Sequence, residues 1–253
     1  MMIDCSMYQE ATCLSNAACA LLAKGHAREA HDALHSAIAH FQRSFQSSNE
    51  SSSASLRGES HFDVARTNAE MALYREPVCH SNLEVETVLL HSQQQIPQTI
   101  FDFRVVGSGE AFSVYPMILS TAVSPSAPSS AEVDFHCAVM IYNFALSKLC
   151  LHHITQENKH AHGGIHLLRM AFNQLSKIIC IKDEHNQNDV SLSSNLVIMC
   201  AMVLNNLARA LTLLSEHAEA RAMIERLQAI EADLQAQQDA SQDMGGPTAA
   251  AAA

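Results

Sequence analysis

The chain has 253 residues, with 15 Lys and Arg against 26 Asp and Glu, and its formal charge of −11 disfavours nucleic acid and anionic membrane as partners. Hydrophobic residues make up 48%, enough for a sizeable core, while aromatics are only 5%, Trp is absent and Gly numbers 8; this favours close-packed helices over a sandwich or barrel. No basic N-terminal region leads into an apolar run, and nothing approaches the ~18 uninterrupted apolar residues of a membrane helix, so a soluble, unexported chain in the cytoplasm or nucleus is expected.

In chain order, Leu14, Ala17, Ala18, Leu21 and Leu22 mark one face of a helix from about Tyr8, which Lys24-Gly25-His26 ends. Ala30, Leu34, Ala37, Ile38 and Phe41 then predict a second helix, so residues 1–45 form a first hairpin. Residues 46–60 hold seven serines and little that is apolar, and read as a flexible loop or a phosphorylated segment. An insert follows over 61–119. It begins with a helix-like stretch ending before Pro77, and then places strands at Leu83–Leu90, Thr99–Val106 and Ala111–Leu119, with Gly107-Ser108-Gly109 as a hairpin turn. A small antiparallel sheet is expected.

Residues 120–132 read as a Ser/Pro linker, and 133–234 as two more hairpins. A helix apolar on most sides runs from Val133 through Leu149, and a polar loop from His153 to Ala161 leads to a partner helix carrying Ile165, Leu168, Ala171 and Leu175. Ser191 or Ser193 offers an N-cap for the next helix. The last hairpin, Leu204 to Leu234, turns at Ser215-Glu216-His217, and a disordered tail is expected over 235–253.

The first and last hairpins align without a gap: Leu14 on Leu204, Asn16 on Asn206, Ala18 on Ala208, Leu21 on Leu211, Gly25 on Ser215, Ala30 on Ala220 and Leu34 on Ile224. This series resembles the tetratricopeptide repeat. The middle hairpin matches through Asn143, Ala145, Gly164, Leu168 and Ala171, but departs with a longer loop and with Lys148 where an apolar residue is usual. Three hairpins with a non-repeat insert also resemble uncharacterised tetratricopeptide-like proteins that bring no known activity. The resemblance implies a mainly α superhelix of antiparallel hairpins whose first helices line a groove for a peptide or helix of a partner protein. Asn16, Asn143 and Asn206, with Asn205 and Arg209 beside the last, are the groove candidates. A side-chain amide there can hold a peptide backbone through one donor and one acceptor; alternatively, these residues cap or bridge neighbouring helices. The Lys and Arg that clamp acidic C-termini in one subtype have no counterpart, their places carrying Thr12, Met202 and Asn206.

Catalytic chemistry is not signalled. His152, His153, His160, His162 and His166 are the strongest metal candidates, but no Cys or carboxylate completes a ligand spacing. His31 and His35 read as a surface pair. Gly107 and Gly109 lack the remainder of a phosphate or dinucleotide fingerprint, and the adjacent His136 and Cys137 point apart on a helix. The eight cysteines, at 5, 13, 19, 79, 137, 150, 180 and 200, form no C-x-x-C and read as buried free thiols in a reducing compartment. The expectation is an interaction scaffold with no cofactor, no metal and no enzymatic activity. Self-association into a homodimer is the alternative.

Overall fold

The computed structural model describes residues 4–45, 53–80, 83–89, 112–119, 128–185 and 190–243. The chain is mainly helical. Helices α1 (Cys5–Ala23) and α2 (Ala27–Arg43) pair, as do α4 (Ser130–Thr155) with α5 (Asn158–His185), and α6 (Val190–Leu213) with α7 (His217–Asp243). Helix α2 packs on α4 and α5 on α6, which stacks the three pairs in chain order, and the first helices touch along the stack, α1 on α4 and α4 on α6. Helix α3 (Ser53–Leu73) lies against α1 and α2.

Local chemistry sets the helix limits. Asp4 caps α1 by accepting from the Ser6 and Met7 N–H groups at 3.0 and 3.2 Å. Helix α4 starts in a capping box: Glu132 N–H donates to Ser129 Oγ, and Ser129 N–H donates to the Glu132 carboxylate. The turns closing the first and last pairs are the same structure. Gly25 (φ 81°) and Ser215 (φ 62°) are left-handed; the Gly25 and His26 N–H groups reach the Leu22 and Leu21 carbonyls, and those of Ser215 and Glu216 reach Thr212 and Leu211.

Several expected boundaries move. Helix α3 begins at Ser53, inside the expected serine loop, where Ala54, Leu56, Arg57 and Glu59 favour helix; residues 46–52 lie outside the described part. The capping box puts residues 130–132 in α4 rather than in a linker. The middle hairpin has no long loop: α4 runs to Thr155, and left-handed Gln156 (φ 58°) turns the chain straight into α5, so the extra residues lengthen the helices. Ser191 and Ser193 lie within the first turn of α6, which starts at Val190. Helix α7 continues to Asp243, because its Ala- and Gln-rich end favours helix, which removes 235–243 from the expected tail.

The sheet is parallel, not antiparallel. Strand β1 (Leu83–Val85) pairs with β3 (Phe112–Val114), and β2 (Val88–Leu89) with β4 (Met117–Ile118), each partner lying 29 residues further on. One ribbon with one register is therefore interrupted where Pro116, without an N–H, breaks the ladder. Residues 90–111 connect the two strands and exceed the roughly a dozen residues that parallel pairing needs, whereas a tight hairpin would have made them antiparallel. The expected strand at Thr99–Val106 and the turn at Gly107-Ser108-Gly109 lie outside the described residues.

Helices α4 and α6 supply the centre of the core. Residues Ile198 to Leu211 are buried without interruption, and Tyr142, Leu146 and Leu149 are among the most enclosed side chains. Both helices are long and apolar enough to cross a membrane, and most of each apolar window is buried in protein.

Candidate functional site

The first helices of the three pairs face the ribbon, and residues 112–119 run along them from α6 to α1. In an extended strand the N–H and C=O of one residue point to the same side and alternate with those of its neighbours. Here Val114 and Pro116 turn their carbonyls outward, accepting from Glu86 N–H at 3.1 Å and Val88 N–H at 2.8 Å. Residues 113, 115, 117 and 119 turn theirs toward the helices.

Two asparagines take these inward groups in matched pairs. Asn143 on α4 accepts the Met117 N–H at 2.9 Å and donates to the Met117 carbonyl at 2.8 Å. Asn16 on α1 does the same for Leu119, at 2.9 and 2.8 Å. Each amide bonds both the N–H and the C=O of one backbone residue. Cys19 adds a weak thiol bond to the Met117 carbonyl, its Sγ at 3.4 Å.

At the α6 end the contacts are looser. The Tyr142 hydroxyl donates to the Tyr115 carbonyl at 3.1 Å and accepts from Asn206 Nδ2 at 3.0 Å, so Asn206 reaches the strand only through tyrosine. Asn206 Nδ2 also donates to the Met202 carbonyl of its own helix at 2.9 Å, while its Oδ1 is buried with no hydrogen-bond partner among the described residues. Arg209, 7% exposed, donates to the Ser113 carbonyl at 3.4 Å, the outer limit of a hydrogen bond. Asn205 is buried on the same helix.

Of the five expected groove residues, Asn16, Asn143 and Arg209 thus bond an extended backbone directly and Asn206 bonds it through one intermediary. That backbone is the chain's own. Tyr142 and Cys19 were not legible as participants: Tyr142 sits in a helix apolar all round, and nothing near Cys19 announces a donor. Burial pushes the Cys19 thiol up to about 12 and the Tyr142 hydroxyl well above its ordinary value, with nearby Cys19 and Tyr115 adding to the tyrosine shift and Arg209 opposing it. Both are therefore neutral donors.

Asn206→Ala removes the bond to Tyr142 but leaves Asn16 and Asn143 in place. The expected loss is about 1 kcal/mol, read as a small fall in the urea midpoint with the fold retained.

Elsewhere the chemistry is sparse. Burial raises Cys150 and Cys200 to about 12 and Cys137 to about 11, so none is a thiolate near neutral pH. The expectation of buried thiols needs correcting for Cys5, Cys13 and Cys79, which are exposed. His152 bonds the Glu157 carbonyl, His160 pairs with the Glu157 carboxylate, and His162 and His166 are exposed; among the described residues no three His, Cys, Asp or Glu side chains come together. His31 is half-buried rather than a surface residue: with exposed His35 it packs on Phe144, and its Nε2 lies 3.2 Å from Lys148 Nζ. Lys148 lies over the Phe144 ring with its stem against Gly163, which accounts for a lysine at an otherwise apolar position.

His136 and Tyr8 share a hydrogen bond between α4 and α1, and burial pushes His136 down to about 4, with Glu132 opposing the shift. The unfolded chain therefore takes up this proton first, near 6.5. The stabilising effect of the neutral ring is complete above that pH, and it is lost at about 1 kcal/mol per pH unit as the pH falls toward 4. Urea unfolding at pH 7 and pH 5 should show this slope, and His136→Phe should flatten it.

Compared with known proteins, the chain matches no family model, no curated protein and no solved structure.

Proposed function

We propose that this protein is an interaction scaffold of tetratricopeptide-like type, whose superhelix holds an extended strand of a protein partner along the first helices of its hairpins. The observation that carries this reading is the pair of amide clamps. Asn16 and Asn143 occupy equivalent places on successive first helices, and each holds one residue of an extended strand by main-chain bonds alone. The matched left-handed turns at Gly25 and Ser215 and the stacking of three hairpins in chain order add support. Burial holds the Cys19 and Cys150 thiols protonated, so neither is a ready nucleophile. A reducing, cytoplasmic setting suits the free cysteines.

Affinity capture from a native extract, repeated in the presence of a synthetic peptide FSVYPMIL identical to residues 112–119, tests the reading. A discrete partner lost on adding the peptide is expected. A chain that captures nothing and sediments as a dimer would instead support a self-associating structural protein, which could bury the exposed Val64 and Met71 on α3.

A further inference from the structure

A groove that works by gripping backbone is unavailable to another strand while its own clamps are engaged. Four features bear on how long they stay engaged. The bonds from Asn16 and Asn143 go only to main-chain N–H and C=O, so any extended residue with a free N–H fits them. The helices grip the strand unevenly: two paired clamps hold Met117 and Leu119, whereas Arg209 reaches Ser113 at 3.4 Å and the Tyr142 hydroxyl reaches Tyr115, with Ser113 also donating from its hydroxyl to Glu84 of β1 at 3.3 Å. The third equivalent asparagine is only half used, since Asn206, 1% exposed, leaves Oδ1 buried and unpartnered among the described residues. Lastly, no bond from the strand to the α6 end involves a paired clamp, so opening there gives up the β1 pairing of residues 112–114 but leaves both asparagine clamps in place.

We propose that residues 112–119 are an exchangeable internal ligand, displaced by an extended apolar strand of a partner protein that enters at the Asn206 end and takes over the backbone bonds of Asn143 and Asn16. The proposal rests on the groove reading above and specifies its occupant. The incoming strand must be apolar where Val114, Met117 and Leu119 now sit, because those positions are 0–2% exposed. It must carry an N–H at the two residues gripped by the asparagines, which excludes proline there. A hydrogen-bond donor reaching Asn206 Oδ1 would give it a contact that the internal strand lacks, and with it an advantage over a competitor that is tethered and so present at high effective concentration.

Two measurements on the full chain test this together. In native-state hydrogen exchange, the Met117 and Leu119 amides should exchange about 100-fold or more faster than α6 amides such as Ala208, because they open locally while the core stays folded. In titrations with a fluorescent FSVYPMIL peptide, wild type should bind, Asn143→Leu should not, and Met117→Asp, which ejects the internal strand, should bind at least about 10-fold more tightly. If Met117→Asp fails to fold, exchange and the wild-type titration decide. Exchange of Met117 and Leu119 only through global unfolding, or a folded wild type that does not bind the peptide, overturns the proposal. Should the strand prove fixed while a partner is still captured, the internal-ligand idea falls and the scaffold reading survives through another surface. Should the strand open and the peptide bind while the protein captures no partner and only dimerises, the internal ligand stands and the scaffold reading falls.

Discussion

Replacing Asn143 by alanine should lower stability by about 2–4 kcal/mol, because it strands the Met117 N–H in the core and leaves the Met117 carbonyl with only the Cys19 thiol. Both residues are fully buried, so no water can stand in for the lost amide. For a chain of this size that corresponds to a fall of roughly 6–12 °C in melting temperature, readable by calorimetry. Asn16→Ala removes a geometrically equal clamp, but Asn16 itself is only half-buried, so water can enter the space its amide vacates and reach the Leu119 groups. Its cost should be about half as large. If the two substitutions cost the same, burial is not what sets the strength of these clamps.

Gly25→Ala should be at least as damaging, about 3 kcal/mol or more. An alanine Cβ there would sit 2.0 Å from the Val78 carbonyl oxygen, far inside contact distance, and the φ of +81° is one that L residues avoid. Relief requires the segment after α3 to move away, which breaks the 2.8 Å bond from Val78 N–H to the Lys24 carbonyl. The equivalent turn at Ser215 supplies the contrasting case. It is left-handed at φ 62° without being glycine, so Ser215→Gly should stabilise by roughly 0.5–1 kcal/mol. Chemical denaturation of both variants reads the two opposite signs.

These two positions illustrate how much could be read in advance. The equivalence of Gly25 and Ser215, and of Asn16, Asn143 and Asn206, was legible because helical periodicity and turn geometry are local and repeat at fixed spacing. The partner of Asn143 was not, since Met117 lies in a segment whose path is set by tertiary packing. Strand direction was lost for the same reason: alternation of Val, Ile and Phe marks extended chain but does not say which neighbour it pairs with. Helix starts were a different matter. Ser129-x-x-Glu132 is a capping box visible in sequence, and Asp4 is an ordinary N-cap, yet the serine and proline content around the first and the polar start of the second masked both. The burial of His136 against Tyr8, and with it the acid sensitivity, depends on two helices meeting far apart in the chain and leaves no local signature.

The central claim, that the chain's own strand fills the groove formed by its first helices, is tested most directly by nuclear Overhauser effects from the Asn143 side-chain amide protons to the Met117 amide proton, and from those of Asn16 to that of Leu119. The bond lengths of 2.8–2.9 Å at both clamps put each of these proton pairs within range, so both effects should be observed. Their absence in a protein that keeps its α1–α4 and α4–α6 contacts would contradict the account.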